Sequence, residues 1–459
     1  MTHKAIEWTS VLLDQLTVLN AQLDALADLS GREQSLSAGA QRGDKQPWND
    51  LSRAASSEAL RLPMTCTQRQ MWAGSVLNQT VAASFNFLLT CEIEKYDEGR
   101  LKSALMKVLS EQPILRSRPD DDGEFFVVKS PEQVANEISH ARVRLASALE
   151  LVGLATRELG APFDMRSCLV RFVTVSLPKT NCILFVFHHL IMDGRSADLF
   201  LERLNFHYEG QESTSGDQAL FDASTYIQWA NRHASIAKLS SSKIYWEQLG
   251  IAPAVASGQF YRASVKSWEI PTALAERCSS VAAKHGATTF MLLCQEFAGA
   301  ILDLTQAERL MLGIPLSRPP SKDVVTCSTD LGVLTVNRVS DNNLLMQLTQ
   351  AIDPDVCSLS QAIDEGLAPH DRAFVDASIT MEKREYLARS RSIKPIELTG
   401  FERIISFPVV VEIGVYHGGV LKVDLSVGDT LRFDSDLLWK TFVDRLATVV
   451  FASQAPAEA

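Results

Sequence analysis

The chain has 459 residues, 46% of them apolar and 22% charged, with 44 Lys and Arg against 55 Asp and Glu for a formal net charge of −11. This is enough chain for two or three globular units, and the acidic excess speaks against nucleic acid as a partner. No apolar run approaches the ~20 residues that span a bilayer, no signal-peptide pattern opens the chain, and the eight cysteines include no Cys-x-x-Cys pair. The expectation is a cytoplasmic protein with no membrane contact, disulfide framework or metal site.

In chain order, Leu12, Leu16, Leu19, Leu23 and Leu26 form a short heptad-like seam that ends at Gly31. Two heptads are marginal alone in water, so this helix needs a surface, either the main body or a docking partner. Residues 35–58, rich in Ser, Ala, Gln, Gly and Asp, read as a linker. From Leu62 onward strands and helices alternate. Strands are expected at 87–93, 124–128, 169–175 and 182–187, with helices at 98–110, 195–208 and 241–249. A second set follows, with strands near 265–270, 310–315, 409–415 and 420–425 and helices at 273–285, 288–302 and 435–451. Residues 393–407 read as an irregular, mobile loop. The simplest partition is an N-terminal segment, 1–60, and two α+β halves, 61–235 and 236–459.

The chemistry concentrates in Phe187-His188-His189-Leu190-Ile191-Met192-Asp193-Gly194. An apolar run, 182–187, ends on two imidazoles, turns at Asp-Gly, and continues into an amphipathic stretch. Adjacent strand residues face opposite sides of a sheet. One histidine is therefore available for chemistry and the other packs. A histidine near its ordinary pKa is suited to accept a proton from an attacking amine or hydroxyl at neutral pH. Asp193 either orients the imidazole or pairs with an arginine to lock the loop. Gly194 permits close backbone approach or a positive φ.

The string His188-His189-x-x-x-Asp193-Gly194 resembles the active-site signature of the condensation-domain superfamily, which includes nonribosomal peptide condensation domains, carrier- and coenzyme-A-dependent acyltransferases and chloramphenicol acetyltransferase. Other segments are similar to condensation-domain motifs in the right order: Leu62 to Trp72 with Gln68 and Arg69, Glu111 to Arg118, Ala161 to Asp164, Ser224 to Trp229, Ala287 to Leu292, and Leu312 to Arg318. The resemblance covers about residues 60 to 455. The departures are Arg195 where the family often has Trp, a weakened segment at Leu331 to Asn337, and a faint trace of the late motif around His370 and Phe374. The last two fall in the half that helps to shape the acceptor channel and imply an unusual substrate.

The resemblance implies an α+β fold of two chloramphenicol-acetyltransferase-like lobes, each a two-layer α/β sandwich, in a V-shaped pseudo-dimer with a central tunnel. It implies His189 as the catalytic residue and His188 as a packing residue. It also implies Asp193 as a structural anchor paired with Arg318 or, second, Arg116, and the Gly194 amide as an oxyanion donor. The implied partners are an acyl or peptidyl carrier protein as donor and a second carrier protein or a free small molecule as acceptor. No permanently bound cofactor is expected, and the phosphopantetheine arm belongs to the carrier substrates. The leading expectation is a freestanding enzyme of nonribosomal peptide or hybrid polyketide assembly that forms an amide or ester from a carrier-bound thioester. The alternatives are a coenzyme-A- or carrier-dependent O-acyltransferase acting on a free alcohol, and a catalytically silent recruitment domain. The histidine pair disfavours a heterocyclisation role, and no second glutamate motif of an epimerase is evident.

Overall fold

The structure, a computed structural model, describes residues 59–211, 221–234, 239–251, 260–338, 348, 350–351, 356–369, 374–384 and 392–452. The leucine seam, the linker and His370 lie outside the described residues.

In the first lobe, β1 (Arg61–Pro63) leads into a helix, Cys66–Leu77, started by a capping box between Thr65 and Gln68. Strand β2 (Asn86–Ile93) and the helix Glu98–Glu111 follow, and then β3 (Ser117–Pro119), β4 (Phe125–Val128) and β5 (Ser139–Arg144). The helix Ala148–Gly160, β6 (Val170–Ser176), β7 (Asn181–His188) and the helix Gly194–Tyr208 complete the lobe. Strands β2, β7, β6 and β5 stand side by side in that order, and β7 is central.

Both faces of β7 are covered. Ile183, Phe185 and Phe187 enter the main core with Leu101, Val108, Phe200 and Leu204. Cys182 and Leu184 enter a smaller cluster with Leu151, Leu154 and Val175. A strand buried on both sides reads as an unbroken apolar run. This is why 182–187 shows no alternation.

The second lobe opens with β8 (Tyr261–Ser264), β9 (Lys266–Ile270) and the helices Thr272–Lys284 and Thr289–Thr305. It continues with β10 (Arg309–Ser317), β11 (Thr329–Asn337) and β12 (Ala377–Lys383), and then with β13 (Ile393–Pro395), β14 (Glu402–Ile405), β15 (Val409–Val415) and β16 (Leu421–Val427). The helix Ser435–Ala452 closes it. The sheet order is β11-β10-β12-β15-β16-β9, with β10–β12 and β12–β15 parallel. Phe297 and Phe442 stack at 3.6 Å where the long helices meet over one face. On β12, Ala377 and Ile379 are buried in this core with Met381 packed against it, while Ser378, Thr380 and Glu382 alternate onto the opposite face.

Two segments of the second half are built into the first lobe. Strand β13 extends the first sheet by pairing antiparallel with β2, Ile393 opposite Ile93. Residues 321–328 lie over the start of the helix Gly194–Tyr208, with Val324, Val325 and Cys327 buried in the first lobe's core. The expectation of an irregular mobile loop at 393–407 is thus corrected, because this stretch holds β13 and β14. Both are three- or four-residue strands whose partners are remote in sequence, so no local periodicity announces them.

Candidate active site

The motif backbone continues the strand for one residue past β7. His188 N–H donates to Leu169 O at 3.0 Å on one side, and His189 N–H donates to Phe85 O at 2.7 Å on the other. The two imidazoles then part as the pleat requires. His188 is fully buried. Its Nδ1 accepts the Leu190 N–H at 3.1 Å, which places the ring proton on Nε2, 3.1 Å from Ser75 Oγ. Ser75 Oγ in turn donates to Met71 O at 2.7 Å. Every polar atom of this ring is satisfied in its neutral form. Burial, with His189 and Arg171 nearby, pushes its pKa down to about 3. His188 packs and does not titrate at neutral pH.

His189 is partly exposed and sits edge-on to Phe87 at 5.6 Å. Its Nδ1 is buried against the Met192 backbone, short of hydrogen-bonding geometry. That leaves Nε2 as the nitrogen open to the cleft. Burial lowers the pKa of this ring, while Asp193, the Met192 backbone and Glu412 act in the opposite direction. The result is a base that is neutral at physiological pH beside charges that favour its protonated form, as proton transfer requires.

Asp193 is the N-cap of the helix Gly194–Tyr208 and is 2% exposed. Its Oδ1 accepts Ser196 N–H at 2.8 Å. Its Oδ2 accepts Ser328 N–H and Ser328 Oγ, both at 2.9 Å, and Thr329 Oγ1 at 3.2 Å. The expected ion pair with Arg318 or Arg116 is therefore not how the aspartate is held. The Arg318 backbone accepts the Trp229 indole N–H at 2.5 Å. Arg116 donates from Nε to Leu109 O at 3.1 Å and from its guanidinium to Lys129 O, tying off a helix end. A cap plus three donors from the second lobe satisfies the buried carboxylate without a cation. The anchor role of Asp193 joins the lobes, since its helix belongs to the first and its partners open β11 of the second.

The surrounding motifs brace the same joint. Gln68 donates to Leu190 O at 3.0 Å and to Thr326 Oγ1 at 3.4 Å. Ser196 Oγ donates to Thr326 O at 2.7 Å. Gln112 donates to Asp323 O at 2.9 Å and accepts from Val325 N–H at 3.0 Å. Arg195 reaches Ser321 O at 3.0 Å. Each side chain holds the 321–329 segment against the motif turn.

The Gly194 backbone does not adopt a positive φ. Its role is close approach: a Cβ there would stand 2.7 Å from the carboxyl carbon of Glu382. Glu382 on β12, Glu412 on β15 and Arg403 on β14 were not singled out from the sequence. Arg403 pairs with Glu412 at 2.6 Å, and both charges act on His189. The alternation Ala377, Ile379, Met381 against Ser378, Thr380, Glu382 was the available signal, but only the fold shows that the polar face meets the motif.

Comparison with known proteins agrees with this architecture. The family model described as "Condensation domain" matches residues 59–335. The chain is 23% identical over 443 residues to a linear gramicidin synthase of Brevibacillus parabrevis, covering 90% of this chain and 8% of that protein. It is 23% identical over 450 residues to bacitracin synthase 2 of Bacillus licheniformis, 90% of this chain and 16% of that one. The chain thus spans a small part of the curated relatives it matches. Among solved structures, the condensation domain of the Monacolin K polyketide synthase MokA superposes with a TM-score of 0.69 at 13% identity, covering 87% of this chain and 99% of that one. The structure described as condensation domain-mediated chain release from the enacyloxin polyketide synthase gives 0.63 at 19% identity, covering 94% and 91%.

Proposed function

The chain belongs to the condensation-domain family, the domains of nonribosomal peptide and polyketide synthetases, and from that premise we propose that it transfers an acyl or aminoacyl group from a carrier-protein-bound thioester to an amine or hydroxyl. The observation that carries this reading is His189. It is a partly exposed imidazole with one nitrogen sealed and the other open, fixed beside a helix N-terminus. In this reading the phosphopantetheine arm of the donor carrier brings the thioester carbonyl to His189, and the acceptor arrives beside it. His189 Nε2 takes the proton of the nucleophile as the new bond forms and returns it to the departing sulfur. Base help of this kind supplies ~10²–10⁴-fold. The Gly194 N–H, at the first turn of its helix, is oriented as a donor to the developing oxyanion.

A silent recruitment role has no use for a neutral, open His189 beside a satisfied His188. The test is mass spectrometry of a panel of acyl-loaded carrier proteins, and of the matching acyl-coenzyme A thioesters, incubated with amines and alcohols. Product that appears with the wild-type chain and disappears with His189→Ala is the expected result. Product that persists with His189→Ala, or no product from any pair, would sink the reading.

A further inference from the structure

The chemistry above leaves no task for the Arg403–Glu412 pair. Its place is set by contacts at both ends of the second-lobe wall. Glu412 sits opposite Thr380, on the face of the sheet that also carries Glu382, and the Glu382 carboxyl lies against Gly194. Arg403 lies on β14, which leads into Ser406, and Ser406 Oγ is 3.3 Å from Ser84 Oγ. The residue after Ser84 is Phe85, whose carbonyl holds the His189 N–H. The pair therefore stands on the stretch of wall between the Gly194 contact and the contact beside His189, and both of its charges act on that imidazole.

Each partner uses only part of its hydrogen-bonding capacity. Arg403 Nη2 donates to Glu412 Oε2 at 2.6 Å, and its Nε and Nη2 donate to Ser426 Oγ at 3.2 and 2.9 Å. Arg403 Nη1 and Glu412 Oε1 have no hydrogen-bond partner among the described residues, and neither atom is sealed from water. The two side chains are 22% and 31% exposed. The pair thus offers free N–H donors beside a free carboxylate acceptor, already fixed in position and with no net charge between them.

We propose that the Arg403–Glu412 pair is a specificity element that binds an uncharged amide of the substrate. The amide C=O accepts from Arg403 Nη1, and its N–H donates to Glu412 Oε1. This rests on the acyl-transfer reading and adds a substrate class to it: the acyl group or the acceptor carries a peptide-like amide. A hydrocarbon chain at this place would strip water from both open atoms and return no hydrogen bond. A carboxylate would take Nη1 only by setting its charge beside Glu412 and Glu382. An ammonium would take Oε1 only by setting its charge beside Arg403. An amide meets donor and acceptor together and adds no charge.

The test is a ratio of kcat/KM values, measured with the full chain on matched substrates. N-acetylglycyl-pantetheine against isocaproyl-pantetheine, each with benzylamine, places or removes the amide in the acyl group. Glycinamide against isobutylamine, each with hexanoyl-pantetheine, does the same in the acceptor. Each ratio is compared between wild type and the double variant Arg403→Met/Glu412→Leu, so the intrinsic reactivities of the substrates cancel. Replacing both partners strands no charge, and a loss common to amide and isostere, as misfolding would give, leaves the ratio where it was. Hydrogen bonds to charged groups of this kind predict that the amide-to-isostere ratio falls by roughly 10–100-fold in the double variant. The comparison in which it falls identifies the piece that carries the amide. Arg403→Lys keeps the charge without the fork and should lose most of the preference as well. Ratios that the double variant leaves unchanged in both comparisons overturn the proposal. A wild-type chain that joins none of these pairs removes the acyl-transfer reading and the amide site with it, whereas transfer with unchanged ratios removes only the latter.

Discussion

The two walls of the candidate site were written in different ways. The first-lobe wall is one contiguous string, His188 to Gly194, on a strand and the turn after it. The second-lobe wall is assembled from single residues on β12, β14 and β15, scattered along the chain at 382, 403 and 412: β12 and β15 are brought together by sheet pairing, and Arg403 reaches Glu412 through an ion pair. A contiguous wall fixes atoms that must act on one another within a turn. A dispersed wall can change one residue at a time without disturbing the histidine pair. The first expectation from this contrast is that chemistry fails at the first wall. His189→Ala should lower turnover by ~10²–10⁴-fold with an unchanged thermal midpoint, and a His189→Ala chain that keeps its rate would move the reaction to the second wall.

The same contrast marks what the sequence disclosed. The parting of His188 and His189 follows from the pleat alone, and the apolar run before them announces a buried strand. The partners of Asp193 were hidden, because Ser328 and Thr329 sit 135 and 136 residues away on a segment with no motif of its own. An arginine was expected because the family resemblance implied one, and a buried carboxylate does demand compensation. Three donors and a helix cap meet the same demand.

The second expectation sharpens that correction. Asp193→Ala leaves the Ser328 and Thr329 donors and the first turn of the helix unsatisfied, so unfolding free energy should fall by roughly 3 kcal/mol or more. Arg318→Ala should cost clearly less. Equal losses that do not add in the double variant, measured by denaturant titration, would restore the ion pair.

A third expectation concerns pH and belongs to the first wall. His188 has a folded-state pKa of about 3, well below the ~6.5 of an unfolded histidine. The unfolded chain therefore binds the extra proton, and the stability from a neutral His188 is full above about pH 6.5 and lost as pH falls toward 3. Ser75→Ala should strip the Nε2–H of its acceptor and cost ~1–3 kcal/mol at pH 7. His188→Gln should flatten the acid slope between about pH 6.5 and 4.5. An unchanged slope would assign the acid sensitivity elsewhere.

The smallest effect on stability is expected where the two walls touch. Gly194 is the first residue of a fifteen-residue helix, a position where alanine is preferred by roughly 0.5–1 kcal/mol on backbone entropy. Against that gain, the added methyl must push aside the Glu382 carboxyl. Because that group ends a flexible side chain, it can swing into the cleft at small cost. Gly194→Ala should therefore leave unfolding free energy within about 1 kcal/mol of wild type while depressing turnover, because the displaced carboxyl then stands in the cleft beside the motif. The discriminating measurement is a double-variant cycle. If the glycine serves to admit Glu382, Gly194→Ala has little further effect on turnover once Glu382→Ala is in place. If the two losses multiply instead, the glycine answers to the substrate or to its own amide, and the contact between the walls is incidental.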